Sequence, residues 1–184
     1  MKRYIKAKIV PLSDESYDFR MEVALDPDTD STVLDSLVDS NHLTSEMIRS
    51  IAEHPNVSVD TLIKLYEKFP YSVVANYLAK NPNTSTEILD TLIDQCWLDI
   101  AVVAQIAKNP NITDKQLRKV ANIAFEDPDG YYDTCYELSG RNDTPPDILA
   151  RLSKHFDRGV RRNVFTNPNT PKEVRERLRE QFEY

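Results

Sequence analysis

The chain has 184 residues, of which 40% are apolar and 29% are charged. This balance is typical of a folded domain with a core and excludes an intrinsically disordered chain. No stretch approaches the roughly 20 apolar residues that a membrane-spanning helix needs, and no apolar run of signal-peptide length follows the N-terminus. The sequence therefore predicts a soluble, cytoplasmic protein.

Charge is spread unevenly along the chain. The formal net charge is −7, which argues against nucleic acid as the default ligand, because binding to a phosphate backbone needs a basic surface. Residues 1–10 carry four basic side chains and no acid, and residues 145–184 carry nine Lys or Arg against six Asp or Glu. The stretch between these two basic ends is strongly acidic, with a net charge of about −14.

The N-terminal segment, residues 1–18, is interpreted as a cap on the helical part that follows. Apolar and other residues alternate with the period of a strand in two stretches: Ile5, Ala7 and Ile9, and then Phe19, Met21, Val23 and Leu25. A turn-rich stretch lies between them, and we therefore favour a β-hairpin that extends to about residue 25. The alternative is a first helix that contains Phe19 and Val23, aligned with Val160 and Val164 near the other end.

An internal repeat organises residues 19–184. A short motif, clearest as Asn-Pro-Asn-Thr, recurs with its second residue at six anchor positions: Pro27, Pro55, Pro82, Pro110, Asn142 and Pro168. The spacings between anchors are 28, 27, 28, 32 and 26 residues. Self-similarity at such a period is the signature of a repeat architecture.

Apolar residues keep fixed distances from each anchor. Four residues before it stand Val23, Ile51, Leu78, Ile106, Leu138 and Val164. Ten residues after it stand Leu37, Leu65, Leu92, Val120, Leu152 and Leu178. Seven residues after it stand Leu34, Leu62, Leu89, Leu117 and Leu149, and Arg175 breaks this column in the last repeat.

Each repeat is predicted to be a short helix, a sharp turn and a longer helix. Proline pushes the preceding residue out of the α region and cannot continue a helix, so the first helix ends at the anchor. Thr84 with Glu87, and Thr170 with Glu173, have the spacing of capping boxes that begin the second helix. Neither helix can bury its apolar face alone, so stacking must form the core. The predicted fold class is all-α, an α-solenoid of about six helix-turn-helix repeats over residues 19–184.

The Ala-x-Asn-Pro-Asn-Thr turn and the Leu-x-x-Leu run after it, best seen over residues 79–92 and 107–120, resemble the leucine-rich repeat variant family. They are similar, more loosely, to HEAT-type helical repeats. The resemblance implies a right-handed superhelix that serves as a binding platform, and it implies no single activity. Some family members carry an N-terminal iron–sulfur segment with clustered cysteines; this chain has no such cluster, so no cofactor is implied here.

The spacing of 32 residues marks an insertion near residues 126–133. Insertions in repeat arrays form surface loops, often on the binding side. Asp127, Asp129, Tyr131 and Tyr132 are therefore candidate partner-binding residues. The alternative is an irregular connection whose tyrosines pack on the repeats.

The last repeat is basic and has a polar face. Arg158, Arg161 and Arg162 form a cluster that is either a solvated helix face or a site for a phosphate or an acidic peptide. The final helix has a single apolar stripe, Val174, Leu178 and Phe182, as expected for a terminal repeat.

Catalytic chemistry finds no support in the sequence. Cys96 and Cys135 are far apart and are predicted to be buried thiols. The three histidines are scattered, and His54 occupies the column filled by Asn81, Asn109 and Asn167, which indicates a role in the turn. Trp97 is interpreted as a core residue, with an interface anchor as the alternative. We predict no enzyme, no catalytic residue, no metal and no cofactor.

Three functions remain open. The first is a protein-binding or scaffolding module whose acidic centre, about residues 27–143, faces a basic segment of a partner. The second is association with nucleic acid or phosphate through the basic last repeat. The third is a structural, self-assembling role.

Overall fold

Residues 16–40, 42–70, 72–95 and 99–182 are described by the structure, a computed structural model. These residues form twelve α-helices and no strand, so the prediction of an all-α fold is confirmed. The helices are α1 (Tyr17–Leu25), α2 (Ser31–Asp39), α3 (Ser45–Glu53), α4 (Val59–Lys68), α5 (Ser72–Lys80), α6 (Thr86–Gln95), α7 (Ile100–Lys108), α8 (Asp114–Glu126), α9 (Tyr132–Gly140), α10 (Pro146–Leu152), α11 (Arg158–Thr166) and α12 (Lys172–Phe182).

The predicted β-hairpin is wrong for residues 17–25, which form α1. The side chain of Ser16 caps this helix by accepting a hydrogen bond of 3.3 Å from the Phe19 N–H. The buried residues follow a helical rather than an alternating pattern: Arg20, Met21, Val23 and Ala24 are buried, whereas Leu25 is 62% exposed. The alternative, a first helix containing Phe19 and Val23, is therefore correct. The rest of the predicted cap, residues 1–15, lies outside the described residues, as do Cys96 and Trp97.

The chain divides into two compact parts, an N-terminal part (Met1–Leu78) and a C-terminal part (Ala79–Tyr184). In the N-terminal part, α1 packs against α3 and α2 packs against α4. In the C-terminal part, α7, α9 and α11 pack in succession, and α6 packs against α8. Within each part, a helix that precedes an anchor thus contacts the helix that precedes the next anchor. This arrangement is repeat-like, as the periodic sequence predicts.

The apolar columns form the core of both parts. All residues four before and ten after the anchors are buried, with Val23 the most exposed at 5%. The leucines seven after the anchors are buried to the same extent. Cys135 is also buried. The columns read from the sequence are therefore the interior of the protein.

The two predicted capping boxes are wrong in their details. Helix α6 begins at Thr86, and Ser85 rather than Thr84 caps it by accepting from the Ile88 N–H at 3.4 Å. In three turns, a threonine two residues after the anchor instead closes the preceding helix, by donating to the carbonyl four residues before the anchor. The observed pairs are Thr29 with Val23 (2.7 Å), Thr144 with Leu138 (2.6 Å) and Thr170 with Val164 (2.5 Å).

A corner turn connects the two helices of every repeat. It comprises the residue before the anchor, the anchor and the two residues after it. In all six turns the N–H of the fourth residue donates to the carbonyl of the first, at 2.9–3.4 Å. In four of them a carboxylate or amide oxygen of the first residue also accepts from the N–H of the third, at 2.8–3.0 Å: Asp26, Asn81, Asn109 and Asn167. In the second turn, His54 Nδ1 accepts in the same way at 3.1 Å.

The side chains of these turns also bind the turn of the preceding repeat. Asn109 Nδ2 donates to the Ala79 carbonyl at 2.7 Å and to the Asn81 carbonyl at 2.9 Å. Asn111 Nδ2 donates to the Pro82 carbonyl at 2.7 Å and to the Thr84 carbonyl at 3.0 Å. Helix ends leave carbonyls without intrahelical partners, and here the next repeat supplies the donors. We call this pattern the carbonyl ladder.

The carbonyl ladder recurs at three other steps. Asn167 and Asn169 bind the carbonyls of Ser139, Arg141, Asn142 and Thr144. At the long 32-residue step, Arg141 Nη1 reaches the carbonyls of Ala107 (2.8 Å) and Asn109 (3.0 Å). Asp143 holds the Arg141 guanidinium at 2.7 Å, and this hydrogen bond lowers the pKa of Asp143. In the N-terminal part, His54 Nε2 lies 2.7 Å from the Asp26 carbonyl, and Asn56 donates to the carbonyls of Pro27 and Thr29.

The first and last turns depart from this chemistry. Asp26 and Asp28 stand where later turns carry donors, and an ionised carboxylate can only accept hydrogen bonds. In the last turn, Arg175 Nη2 donates to the Asn167 carbonyl at 2.7 Å, an atom equivalent to those that a following repeat would bind. This contact gives the reason why Arg175 breaks the leucine column.

Loss of one ladder donor should destabilise the protein measurably. In Asn109→Asp the side chain keeps its acceptor but cannot donate, so the buried Ala79 carbonyl loses its donor and the Asn81 carbonyl keeps only the Thr84 N–H. We expect the free energy of unfolding to fall by about 2–4 kcal/mol, measured by urea denaturation. Asn142→Ala is the control, because this exposed side chain has no contact of its own among the described residues, and its effect should stay within about 0.5 kcal/mol. Equal effects of the two substitutions would contradict a structural role for the ladder.

Candidate functional site

An open cleft of about 450 Å³ lies beside the insertion, in the C-terminal part. It is formed by the end of α8, the loop after it, the end of α10 and the segment that leads into α11. The lining residues are Phe125, Pro128, Asp129, Arg151, Leu152, Lys154, His155 and Phe156. Aromatic rings and basic side chains dominate this set, and we call it the aromatic–basic cleft.

The insertion consists of an extended α8 followed by a loop, residues 127–131. Asp127 ends the helix, its carbonyl accepts from the Tyr131 N–H at 2.9 Å, and its Oδ1 accepts from the Gly130 N–H at 3.1 Å. A Cβ atom on Gly130 would lie 2.3 Å from Asp127 Oδ2, so this close approach needs a glycine unless the carboxylate moves. Asp127 therefore holds the loop together, and Asp129 is the acid that reaches the cleft.

A chain of rings supports one wall of the cleft. His155 is buried, and its ring centroid lies 4.4 Å from that of Phe156 and 6.4 Å from that of Tyr132. Tyr132 in turn lies 6.1 Å from Tyr136. His155 Nδ1 accepts from the Asp157 N–H at 3.1 Å, which leaves the proton of the neutral ring on Nε2, 3.4 Å from the Pro128 carbonyl. The imidazole thus joins the loop to the segment before α11.

Phe156 is exposed but held in place. Its side chain is 61% exposed, an unusual state for a phenylalanine that stacks on a buried ring. Arg161 Nη1 donates to the carbonyl of His155 at 2.7 Å and to the carbonyl of Phe156 at 2.6 Å. Rigid exposed aromatic rings of this kind are typical anchors of protein interfaces.

Arg151 covers the opposite wall. Its guanidinium lies 4.0 Å from the centroid of the Phe125 ring, within the range of a cation–π contact. Phe125 is half-buried at the end of α8, and Lys154 is exposed at the rim. The cleft therefore offers two phenyl rings with two cations beside them.

The three arginines predicted as a cluster have separate surroundings. Arg158 stacks on Phe182 at 5.6 Å, and Arg161 contacts Gln181 Oε1 at 3.1 Å besides the two carbonyls beside the cleft. Arg162 is exposed and has no side-chain contact among the described residues. Arg158 and Arg161 thus tie α11 to the end of α12.

The candidate residues of the insertion are brought only partly together. Asp129 lines the cleft. Tyr132 does not line it, but its ring lies beside that of the cleft residue His155. Tyr131 is half-buried, and burial together with the nearby Asp127 raises its pKa. Burial also raises the pKa of Tyr132. The alternative that the tyrosines pack on the repeats describes Tyr132, whose ring lies against those of His155 and Tyr136.

Of the eight residues that line the cleft, Asp129 alone was a sequence-based candidate. The missed residues include the three that carry its rings: Phe125, His155 and Phe156. None of them stands in an apolar column, so the periodic pattern gave no reason to select them. Phe156 carried one usable signal, because it is a large aromatic in a segment between two helices.

Other reactive groups do not form a site. Burial raises the pKa of the Cys135 thiol to about 11, which disfavours its reactive thiolate form. Within the described ranges, no three His, Cys, Asp or Glu side chains come together in a way that could hold a metal ion. None of the described helices is both long and apolar enough to span a membrane.

Comparisons with protein-family models, with curated proteins and with solved structures find no match to this chain.

The support of Phe156 by Arg161 can be tested directly. In Arg161→Ala the two carbonyls lose a charged donor, and we expect the amides of Lys154, His155 and Asp157 to exchange about tenfold faster or more, measured by native-state hydrogen exchange. Arg162→Ala removes the same charge one residue on and should leave these amides unchanged. Exchange that is equally fast in both variants would mean that Arg161 does not hold the segment.

Proposed function

We propose that this protein is a protein-binding module, built as an α-solenoid of about six repeats similar to the leucine-rich repeat variant family, and cytoplasmic. The same column residues and corner turns recur in both compact parts, which supports the same helical-repeat array in each. Such arrays expose long faces that bind other proteins. The proposal assigns no catalytic role to the chain.

The observation that carries the proposal is an acidic edge on the N-terminal part. Residues 16–78 contain eleven Asp or Glu and four Lys or Arg. Asp28, Glu53 and Asp60 stand in or beside two neighbouring corner turns, are exposed, and have no ion pair among the described residues. Leu25, 62% exposed, lies at the same edge, two residues before its anchor. We call these four residues the acidic turn edge.

The chemistry of this edge favours a basic partner segment with at least one apolar side chain. Unpaired carboxylates attract lysine and arginine and speed the encounter of the two proteins. An exposed leucine beside them offers apolar area that a charged ligand alone would not use. Acid and leucine together therefore fit a basic, partly apolar peptide.

The alternative of nucleic-acid or phosphate binding has less support. Of the three arginines on which it rests, Arg158 and Arg161 are engaged in contacts within the last repeat.

Charge reversal on the full chain tests the proposal. The probe is a fluorescein-labelled peptide of alternating lysine and leucine, and the readout is fluorescence anisotropy. We expect Asp28→Lys/Glu53→Lys/Asp60→Lys to weaken binding by about tenfold or more, and added salt to weaken binding to the unsubstituted chain.

The matched control is Glu173→Lys/Glu176→Lys/Glu180→Lys in α12. It changes the net charge by the same amount and, like the first variant, removes an acid from the first turn of a helix. We expect this control to weaken binding by no more than about threefold. Equal losses in both variants would reduce the interaction to overall charge and contradict a defined acidic edge.

A further inference from the structure

We propose that the aromatic–basic cleft is a second binding site, which takes a peptide segment of a partner protein that carries an acidic residue beside an aromatic or aliphatic one. This site lies in the C-terminal part and is distinct from the acidic turn edge. It goes beyond the proposed function, because it requires a ligand of the opposite charge.

A charge pattern recurs between neighbouring repeats. Lys64 stands nine residues after an anchor and binds Asp35 at 2.7 Å and Asp39 at 3.3 Å. Lys119 stands at the equivalent position and binds Asp90 at 3.1 Å and Asp94 at 2.9 Å. In both cases the two acids stand eight and twelve residues after the preceding anchor. A cation at this position is thus neutralised by the repeat before it.

Arg151 stands at the same position but lacks these acids. It lies nine residues after Asn142, and the positions that hold aspartates elsewhere are Arg118 and Asn122 in the preceding repeat. Arg118 is itself engaged with Asp114 and Asp147. Arg151 therefore contacts the face of Phe125 and has no carboxylate within 4.0 Å among the described residues.

Lys154, three residues after Arg151, adds a second positive charge without a carboxylate partner among the described residues. Lys154 stands twelve residues after Asn142, where Asp39 and Asp94 stand in their own repeats, so the charge there is reversed. Lys154 has no ion pair among the described residues. Arg177, equivalent to Arg151 in the last repeat, donates to Ser153 Oγ rather than to a carboxylate. Asp129 on the rim is the one acid among the cleft-lining residues.

An acidic ligand would supply the carboxylates that the repeat pattern omits here. Its apolar side chain would enter between Phe125 and Phe156, the latter held by Arg161 and by stacking on His155. Fixed aromatic rings with adjacent unpaired cations are the features that recognise acidic and apolar peptide motifs.

A peptide fits this site better than a nucleic acid does. Phosphate-backbone binding needs an extended basic track, whereas the acids Asp129, Asp133 and Asp157 lie on or near the elements that form this cleft. The volume of about 450 Å³ is of the size that holds one or two side chains.

The test is selection from a random peptide library displayed on phage, with the full chain immobilised. We expect enriched peptides to carry Asp or Glu next to an aromatic or aliphatic residue. A labelled selected peptide is then titrated against variants by anisotropy. Arg151→Glu/Lys154→Glu reverses the cleft charge; because Arg151 packs on Phe125, the second variant, Lys154→Glu/Phe156→Ala, changes only exposed side chains.

We expect either variant to weaken the binding of the selected peptide by about tenfold or more. The charge-matched control for the first variant is Lys115→Glu/Arg162→Glu. It alters two exposed cations whose side chains form no hydrogen bond or ion pair within the part of the chain that the structure describes, and it should weaken binding no more than about twofold.

Five results would overturn this proposal. The first is the absence of enrichment, and the second is acidic peptides whose binding does not depend on Lys154 and Phe156. The third is self-association, seen by light scattering, that Lys154→Glu/Phe156→Ala abolishes, because the occupant would then be a second copy of the chain. The fourth is an oligo(dT) probe that binds the cleft more tightly than any selected peptide. Enrichment of basic peptides alone, sensitive to the acidic turn edge, would overturn this proposal and leave the proposed function standing.

Discussion

Carbonyl groups at the ends of helices need hydrogen-bond donors, and the repeats of this chain meet that need across the interface between neighbours. The corner turn ends a helix sharply, which leaves carbonyls at the turn that the helix itself cannot satisfy. Asparagine amides from the next turn donate to two of them at a time, as Asn109 does with Ala79 and Asn81. Because a buried carbonyl without a partner destabilises the fold, the repeats can pack in one register only. Within each compact part, the apolar columns then come together as the core.

At two positions of the ladder another residue stands in place of asparagine, and these positions show which property of asparagine matters. His54 and Arg141 differ from asparagine in size and charge, yet both place a nitrogen near the carbonyls of the preceding turn. Arginine is long enough to reach across the 32-residue step, and Asp143 orients it. Donor geometry is therefore retained while the residue type changes. Asp26 and Arg175 occupy the two places where this chemistry is altered, one by removing the donor and the other by occupying an acceptor.

The periodic sequence made the buried core predictable, but it did not predict the residues of the aromatic–basic cleft. Residues four before and ten after each anchor lie in the core because each repeat imposes the same burial on them. The partners of the ladder asparagines were not evident, since the turn preference of Asn-Pro-Asn already explained the motif and the bound carbonyls lie 25–30 residues earlier. The alternation of Phe19, Met21, Val23 and Leu25 was misleading because a helical face of Arg20, Met21, Val23 and Ala24 contains two of the same residues. Phe156 and His155 belong to no column, and only the packing around the insertion brings them together.

The most direct measurement of the ladder is the exchange of asparagine side-chain amide protons with solvent, followed by two-dimensional NMR of the labelled chain. We expect the Nδ2 protons of Asn109 and Asn167, which donate to buried carbonyls, to exchange at least about 100-fold more slowly than those of the exposed Asn142. If all three side chains exchange at the rate of a free amide, asparagine donors do not set the register of the repeats.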